Sequence, residues 1–314
     1  MTVLVFGSLN IDLVTQVSRL PNPGETLLGD RFTTVPGGKG ANQAVAAAGL
    51  GVKTAMVGRV GADSFGQTVI HSLNTAGVDT SKIQVDRGAS TGIAAIAVAA
   101  SGENQIIVVP GANGSVDGSD VNRLPLTEID ILLMQFEIPV SAVEQAALQA
   151  KTHGVTVIID PAPAIANLSD ALYRSIDILT PNQTEAACLT NCPVDSPEDG
   201  LKAASVLRSR GVDTVIVKLG AQGCLCSSPD ATFFLPAYSV KAVDTVAAGD
   251  AFNGGLAAAL GEGKNLIDAV IQGSATAALS VTQSGAQDSL PERDRVRAFM
   301  TERPTPKPIE VFPD

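Results

Sequence analysis

The stretch DTVAAGDAFNGG (Asp244–Gly255) sets three small residues, Ala247, Ala248 and Gly249, directly before an apolar, helix-like run. Small residues at a helix start leave backbone N–H groups open to an anion, with the positive end of the helix dipole behind them. Asp250 stands where that anion would dock, and a simple phosphate site has no use for a carboxylate there. Phosphoryl transfer to an alcohol does have one. Something must accept the hydroxyl proton while preorganised N–H donors stabilise the charge on the transferring group. An Asp in a first helical turn also suits the dipole without any chemistry.

Three further polar segments fall at strand ends or helix starts. Asn10 and Asp12 follow the first strand-like run, and Glu137 follows DILLMQF (130–136). In open parallel sheets ligands bind outside the carboxyl ends of the strands, so these carboxylates are candidate acceptors for hydroxyl donors. In PGGKGANQ (36–43) two glycines precede a helix-like run, permitting either tight packing or close approach to a ligand. On the second reading Gly38 and Asn42 hold a hydroxylated molecule, since Asn both donates and accepts. In NQTE (182–185) the spacing favours a capping box, Asn182 capping a helix and Glu185 answering it. The alternative puts Asn182 on a phosphate and Glu185 near Mg²⁺-bound water.

Other chemistries are poorly served. GASTG (88–92) matches a nucleophile elbow as a string, but a strand-like run follows it instead of a helix, and only His71 and His153 could supply a base. There is no G-x-x-x-x-G-K-[ST] loop, and the GKGANQ segment lacks the third glycine of a dinucleotide fingerprint. Cys188, Cys192, Cys224 and Cys226 fall as C-x3-C and C-x-C, spacings that zinc sites do not favour, and read as reduced thiols.

The elements that must position these residues alternate. Apolar strand-like runs at 3–8, 54–59, 130–136, 156–160 and 213–220 are separated by helix-like segments at 41–49, 64–77, 141–154, 199–211, 249–263 and 265–281. Alternation implies parallel βαβ units, and continuously apolar strands imply a sheet covered on both faces. Residues 12–38 and 91–113 break the rhythm. The first reads as short strands around a Pro-Gly turn, the second as a hairpin turning at SGEN, and the two could pair into a small separate sheet, a lid. The Pro-rich tail RPTPKPIEVFPD (303–314) reads as an extended surface arm. The net charge of −11 argues against a nucleic-acid surface. No run of about 18 apolar residues suggests a membrane span, and the start MTVLVFGSLNID does not read as a signal peptide. A cytoplasmic setting is the expectation.

In this order and combination, GSLNID, PGGKGANQAVAA, LLMQFE, DPAPA, LTPNQTEA, VDTVAAGDAFNGG and SGAQDSLP resemble the ribokinase-like carbohydrate kinases, the family named after the minor phosphofructokinase. Many relatives carry Gly-Ala-Gly-Asp where this chain has Ala-Ala-Gly-Asp. The resemblance implies a three-layer α/β/α fold with a mostly parallel central sheet, formed by residues 1–11, 39–90 and 111–314, plus a β lid from 12–38 and 91–110 that doubles as a homodimer interface. It implies ATP-dependent phosphorylation of D-ribose at the 5-hydroxyl. Kinases of 2-deoxyribose, fructose or a nucleoside, or a non-catalytic sugar or nucleotide sensor, are the alternatives. Carried over by motif, Asp250 is the base and Ala247, Ala248 and Gly249 the anion hole. Asn10, Asp12, Gly38, Lys39, Gly40, Ala41, Asn42 and Glu137 bind the sugar. Asn182, Ser274 and the loop Lys218, Leu219, Gly220, Ala221, Gln222 and Gly223 hold ATP, together with Gly249, with Glu185 near Mg²⁺. An activating monovalent cation, K⁺, has Asp244, Val246, Ser280, Gln283, Gly285 and Ser289 as its implied ligands.

Overall fold

A computed structural model describes residues 1–311. Its strands are β1 (Thr2–Phe6), β2 (Asn10–Val17), β3 (Arg31–Gly37), β4 (Lys53–Val57), β5 (Arg59–Gly61), β6 (Gln84–Asp86), β7 (Gly92–Ala99) and β8 (Asn104–Val109), followed by β9 (Ile131–Gln135), β10 (Thr156–Asp160), β11 (Ile178–Leu179), β12 (Thr214–Lys218), β13 (Gly223–Ser227), β14 (Thr232–Pro236) and β15 (Ile309–Glu310). The helices are α1 (Lys39–Gly49), α2 (Ser64–Thr75), α3 (Gly118–Val121), α4 (Val140–Thr152), α5 (Asp170–Arg174), α6 (Gln183–Thr190), α7 (Pro197–Ser209), α8 (Ala248–Gly261), α9 (Leu266–Ser280) and α10 (Arg293–Glu302).

The main sheet runs β15-β14-β13-β12-β11-β10-β9-β1-β4. From β4 to β12 the pairing is parallel, and β13, β14 and β15 extend it antiparallel at one edge. Side chains alternate along each strand, which sorts the apolar runs into two cores. Leu4, Phe6, Leu132, Met134, Val157 and Ile159 face the cluster shared with α4 and α7, whereas Val3, Val5, Ile131, Leu133 and Ile158 face the one shared with α1, α8 and α9. Continuous apolarity is therefore what a sheet covered on both sides requires.

The two segments outside the alternation do form a separate sheet, ordered β3-β2-β7-β8, although residues 38–91 lie between its halves in the chain. The parallel pairing of β2 with β7, from Asn10 opposite Gly92 to Val17 opposite Ala99, joins them. Ile106, Ile107, Val108 and Val109 of the edge strand β8 are exposed.

Some boundaries differ from the sequence expectation. Helix α1 begins two residues early, at Lys39, because Gly38 takes a φ of 90° and ends the strand abruptly. The hairpin of β13 and β14 is absent from the sequence reading, which saw its Cys224 and Cys226 only as a cysteine spacing; both are buried within the sheet. The tail is not simply an arm, since Ile309 and Glu310 pair with Phe234 and Phe233 of β14. Its last residues, 312–314, lie outside the described ones.

Candidate active site

The parallel strands end together, and their last residues are polar. Gln135, Asp160 and Lys218 close β9, β10 and β12, and Gln135 and Asp160 are register partners. Two residues earlier on each strand, Leu133, Ile158 and Ile216 pack in the cluster under α1 and α8. The two-residue period turns the terminal polar side chains to that same face. A cleft of about 820 Å³ opens there, bounded among others by Lys39, Asp160, Asn182, Lys218, Gly249 and Asp250.

The N-terminus of α1 is pressed onto the turn after β1. A Cβ on Gly40 would stand 2.6 Å from the Ser8 nitrogen, so only glycine allows this approach. The Ala41 N–H donates to the Ser8 carbonyl (3.0 Å), and the Gly40 N–H donates to Ser8 Oγ (3.2 Å). Ser8 Oγ donates in turn to Glu137 Oε2 (2.6 Å), which also accepts from the Lys39 N–H (3.1 Å). Glu137 Oε1 has no donor among the described residues. Ser8 was not singled out in the sequence, where it reads as an ordinary loop serine.

Asp12 lies half-buried on β2, against Gly37. Burial, with the charges of Glu137 and Asp250 adding to it, pushes its carboxyl up to about 6. Asn10 is buried, and its Oδ1 accepts from Asn113 Nδ2 (2.7 Å). Asn113, missed in the sequence, also brackets the backbone of Leu9 through both ends of its amide.

Asp250 is buried in the first turn of α8. Its Oδ2 accepts from Asn42 Nδ2 (3.0 Å) and its Oδ1 from Gln43 Nε2 (3.0 Å). Asn42, expected on a hydroxylated ligand, gives its amide N–H to the expected base and keeps a buried Oδ1 with no partner among the described residues. Desolvation raises the proton affinity of Asp250 and the charge of Asp160 adds to that, against the lowering influence of Lys39 and the two amides.

Two ammonium groups complete the charge pattern. Burial pulls the Lys39 ammonium down, yet Asp250, Asp160, Glu137 and Glu185 together hold it above the ordinary lysine range. No carboxylate oxygen lies within 4 Å of Lys39 Nζ among the described residues, so this cation is surrounded by anions without being paired to one. Lys218 Nζ is paired, to Asp160 Oδ1 at 2.8 Å. It also stands beside the start of α8, 3.4 Å from where a Cβ on Gly249 would be.

The start of α8 leaves backbone N–H groups open where the anion hole is expected. Ala247 caps the helix in the left-handed conformation (φ 59°, ψ 10°). The Ala248 N–H is partly engaged by the Thr245 carbonyl at 3.3 Å. The N–H groups of Ala247, Gly249 and Asp250 find no acceptor among the described residues, so the open donors include Asp250's own.

On the nucleotide side, Asn182 and Glu185 make the full capping box, with Glu185 N donating to Asn182 Oδ1 (2.8 Å) and Asn182 N to Glu185 Oε2 (2.7 Å). Both nonetheless border the cleft, as do Gly220, Ala221, Gly223 and Ser274. Burial and the Asp160 charge raise the Glu185 carboxyl. Leu219 and Gln222 do not border it. Leu219 is buried in the opposite core and Gln222 reaches away to the Asp195 carbonyl (3.1 Å). Leu219 directly follows Lys218 at the end of β12, and the strand's alternation turns it to the other face, which a contiguous motif conceals.

The residues expected around a monovalent cation lie on two adjoining loops. Asp244 accepts from the N–H groups of Val246 and Gly285, both at 3.0 Å. The Ser280 and Ser289 hydroxyls donate to carbonyls three residues back, and the Gln283 amide sits against the Arg295 guanidinium. The Gln283 oxygen is thus taken locally, whereas a hydroxyl that donates keeps its lone pairs, so the Ser280 and Ser289 oxygens stay open to a hard cation together with the backbone carbonyls and the Asp244 carboxylate.

A model of the pfkB family carbohydrate kinases matches residues 2–293. Ribokinase of Haemophilus influenzae is 44% identical over 301 residues, covering 95% of this chain and 98% of that protein. Deoxyribokinase of Salmonella typhimurium is 35% identical over 96% of this chain and 99% of its own length. Among solved structures, Arabidopsis thaliana ribokinase complexed with ribose and ATP superposes with a TM-score of 0.88 at 34% identity, covering 95% of this chain and 97% of that one. With a family model spanning nearly its whole length, full-length relatives well above 30% identity, and a buried carboxylate set among open N–H donors where alcohol phosphorylation needs them, the chain belongs to the pfkB family of carbohydrate kinases.

Proposed function

We propose that the chain phosphorylates D-ribose at its 5-hydroxyl, with ATP as donor. The observation that carries the chemistry is the Asp250 carboxylate in the same helical turn as unpaired N–H donors. The sugar sits among Asn10, Asp12 and Glu137 and against the glycine-rich start of α1. Its 5-hydroxyl gives its proton to Asp250 as the oxygen attacks the terminal phosphorus of ATP in line, the bond from that phosphorus to the bridging oxygen breaks, and ADP leaves. The charge spread over the transferring group meets the N–H groups of Ala247, Gly249 and Asp250 and the unpaired Lys39 ammonium. Lys218, Gly220, Ala221, Gly223 and Asn182 line the nucleotide's place.

Mg²⁺ finds no ready cage, since no group of three or more His, Cys, Asp or Glu side chains could hold a metal among the described residues. Glu185 would stand beside a Mg²⁺ carried on the nucleotide phosphates, where the ion would neutralise phosphate charge. Asp244 and the loop of Gly285 would hold K⁺ next to the start of α8. The small sheet closes over the sugar and excludes water, and its exposed strand β8 meets a second copy of the chain. No described helix is long and apolar enough to cross a membrane, and the four unbridged cysteines suit the cytoplasm.

An ADP-release assay across ribose, 2-deoxyribose, fructose and adenosine, with and without K⁺, tests this reading. Ribose is expected to turn over fastest, and faster with K⁺. No preference for ribose over the nucleoside would overturn it, and a preference for 2-deoxyribose would move the chain to the other sugar named among its relatives. A second expectation concerns pH. Asp12 can accept two hydroxyl donors only when ionised, so ribose should bind more weakly as pH falls from 7 to 5, through the value near 6. Calorimetric titration of ribose across that range reads it; a flat dissociation constant would remove Asp12 from the sugar.

A further inference from the structure

A chain of buried side chains links the nucleotide end of the cleft to Asp250. Lys218 Nζ donates to Asp160 Oδ1 (2.8 Å), and Asp160 Oδ2 accepts from Gln43 Nε2 (3.0 Å). The same nitrogen donates to Asp250 Oδ1 (3.0 Å), while Gln135 Nε2 donates to Gln43 Oε1 (2.6 Å). The amide of Gln43 has no freedom left. Its oxygen is taken by a donor, and its two N–H bonds end on two different carboxylates, which a reversed amide could not satisfy. Gln43, Gln135 and Asp160 are all at or below 1% exposure, so water does not substitute for any of these bonds. None of the three was singled out in the sequence.

Asn42 on Oδ2 and Gln43 on Oδ1 together fix the plane of the Asp250 carboxylate. Asn42 is held by its place in α1, one residue before Gln43, but the Gln43 side chain is longer and needs its two outer partners to stay extended. Asp160 is the charged partner, and Lys218 anchors it. We propose that Asp160, acting through Gln43, is a positioning residue for phosphoryl transfer, tying the orientation of the Asp250 carboxylate to the lysine at the nucleotide end of the cleft. The proposal rests on Asp250 being the base. A phosphate arriving at the start of α8 competes with Asp160 for the Lys218 ammonium, so nucleotide binding reaches the base through the same chain.

The test compares Asp160→Asn, Gln43→Met, Lys218→Met and the Asp160→Asn/Gln43→Met pair, with Asp250→Asn alongside, measuring kcat and both KM values. Asp160→Asn keeps the volume but not the charge, and is expected to lower kcat at least about tenfold with the ribose KM unchanged, since both Asp160 oxygens are already spent on Lys218 and Gln43 in a buried place. Gln43→Met is expected to cost at least as much. The double variant is expected to be no slower than the worse single one, because both interrupt one chain. Lys218→Met breaks the link at its partly exposed end and is expected to lower kcat as well as raise the KM for ATP. Unchanged kcat in Asp160→Asn, a ribose KM that rises with kcat constant, or multiplicative losses in the double variant would each overturn the proposal. Loss of turnover in Asp250→Asn together with normal turnover in Asp160→Asn would remove the positioning chain and leave the base intact. Normal turnover in Asp250→Asn would remove the base itself.

Discussion

Asp250→Asn is expected to lower kcat by about a thousandfold or more while ribose and ATP still bind. The substitution is nearly isosteric, so the sugar and nucleotide walls remain. It removes the only carboxylate in the first turn of α8, and with it the group that takes the proton. Asn42 and Gln43 both present N–H donors to this side chain, so an asparagine there must turn its own amide nitrogen toward one of them. The loss is thus chemical and orientational together. Stability should not fall in step, because burial and the Asp160 charge already oppose ionisation of Asp250. The same opposition sets a pH dependence. The base works only when deprotonated, and its proton affinity lies above the usual carboxylate range, so wild-type turnover should fall away on the acid side sooner than an exposed carboxylate would dictate. An ADP-release assay, binding calorimetry and a melting curve check the three statements. A variant that turned over normally would take the role of base away from Asp250.

Lys39→Met is expected to lower kcat by about a hundredfold and raise the KM for ATP. In most buried sites a lysine among carboxylates is paired, and its removal is a matter of folding. Here the ammonium is surrounded by Asp250, Asp160, Glu137 and Glu185 with none within 4 Å. The geometry leaves its charge available to an incoming phosphate. Without it the nucleotide meets a cleft whose carboxylates are balanced only by Lys218, through Asp160. The residual repulsion should weaken ATP binding more than ribose binding, since ribose is neutral. Steady-state kinetics with each substrate varied in turn would show the asymmetry. Equal losses toward both substrates, or none, would count against a role for Lys39 at the phosphate.

How much of this was legible in the sequence depended on whether a residue's meaning was local. Asp250 could be read because its oddity, a carboxylate at an anion-binding helix start, is contained in six residues. The Asn182–Glu185 box is likewise local, and it formed as the spacing required. The alternation of strands and helices gave the main sheet, and the two irregular stretches gave the small one. Gln43, Gln135, Asp160, Ser8 and Asn113 carry no such signal. Gln135 and Asp160 each stand as one polar residue at the end of an apolar run, and only the parallel alignment of β9 and β10 brings those two ends to one face. The contiguous motif from Lys218 to Gly223 misled in the opposite way. It presented as a single loop what the backbone divides between cleft and core, Leu219 going to the core.

The left-handed Ala247 bears on how nucleotide comes and goes. Glycine takes that conformation without steric cost, whereas alanine there costs about 1–2 kcal/mol, which accounts for the glycine that many relatives carry at this position. A glycine, however, also roams freely through the rest of backbone space when nothing holds it. The alanine methyl closes most of those excursions. The loop before α8 therefore has fewer shapes to forget when nucleotide leaves and fewer to lose when it returns, and part of the entropy of ordering the anion-binding amides is settled in advance by a single carbon atom.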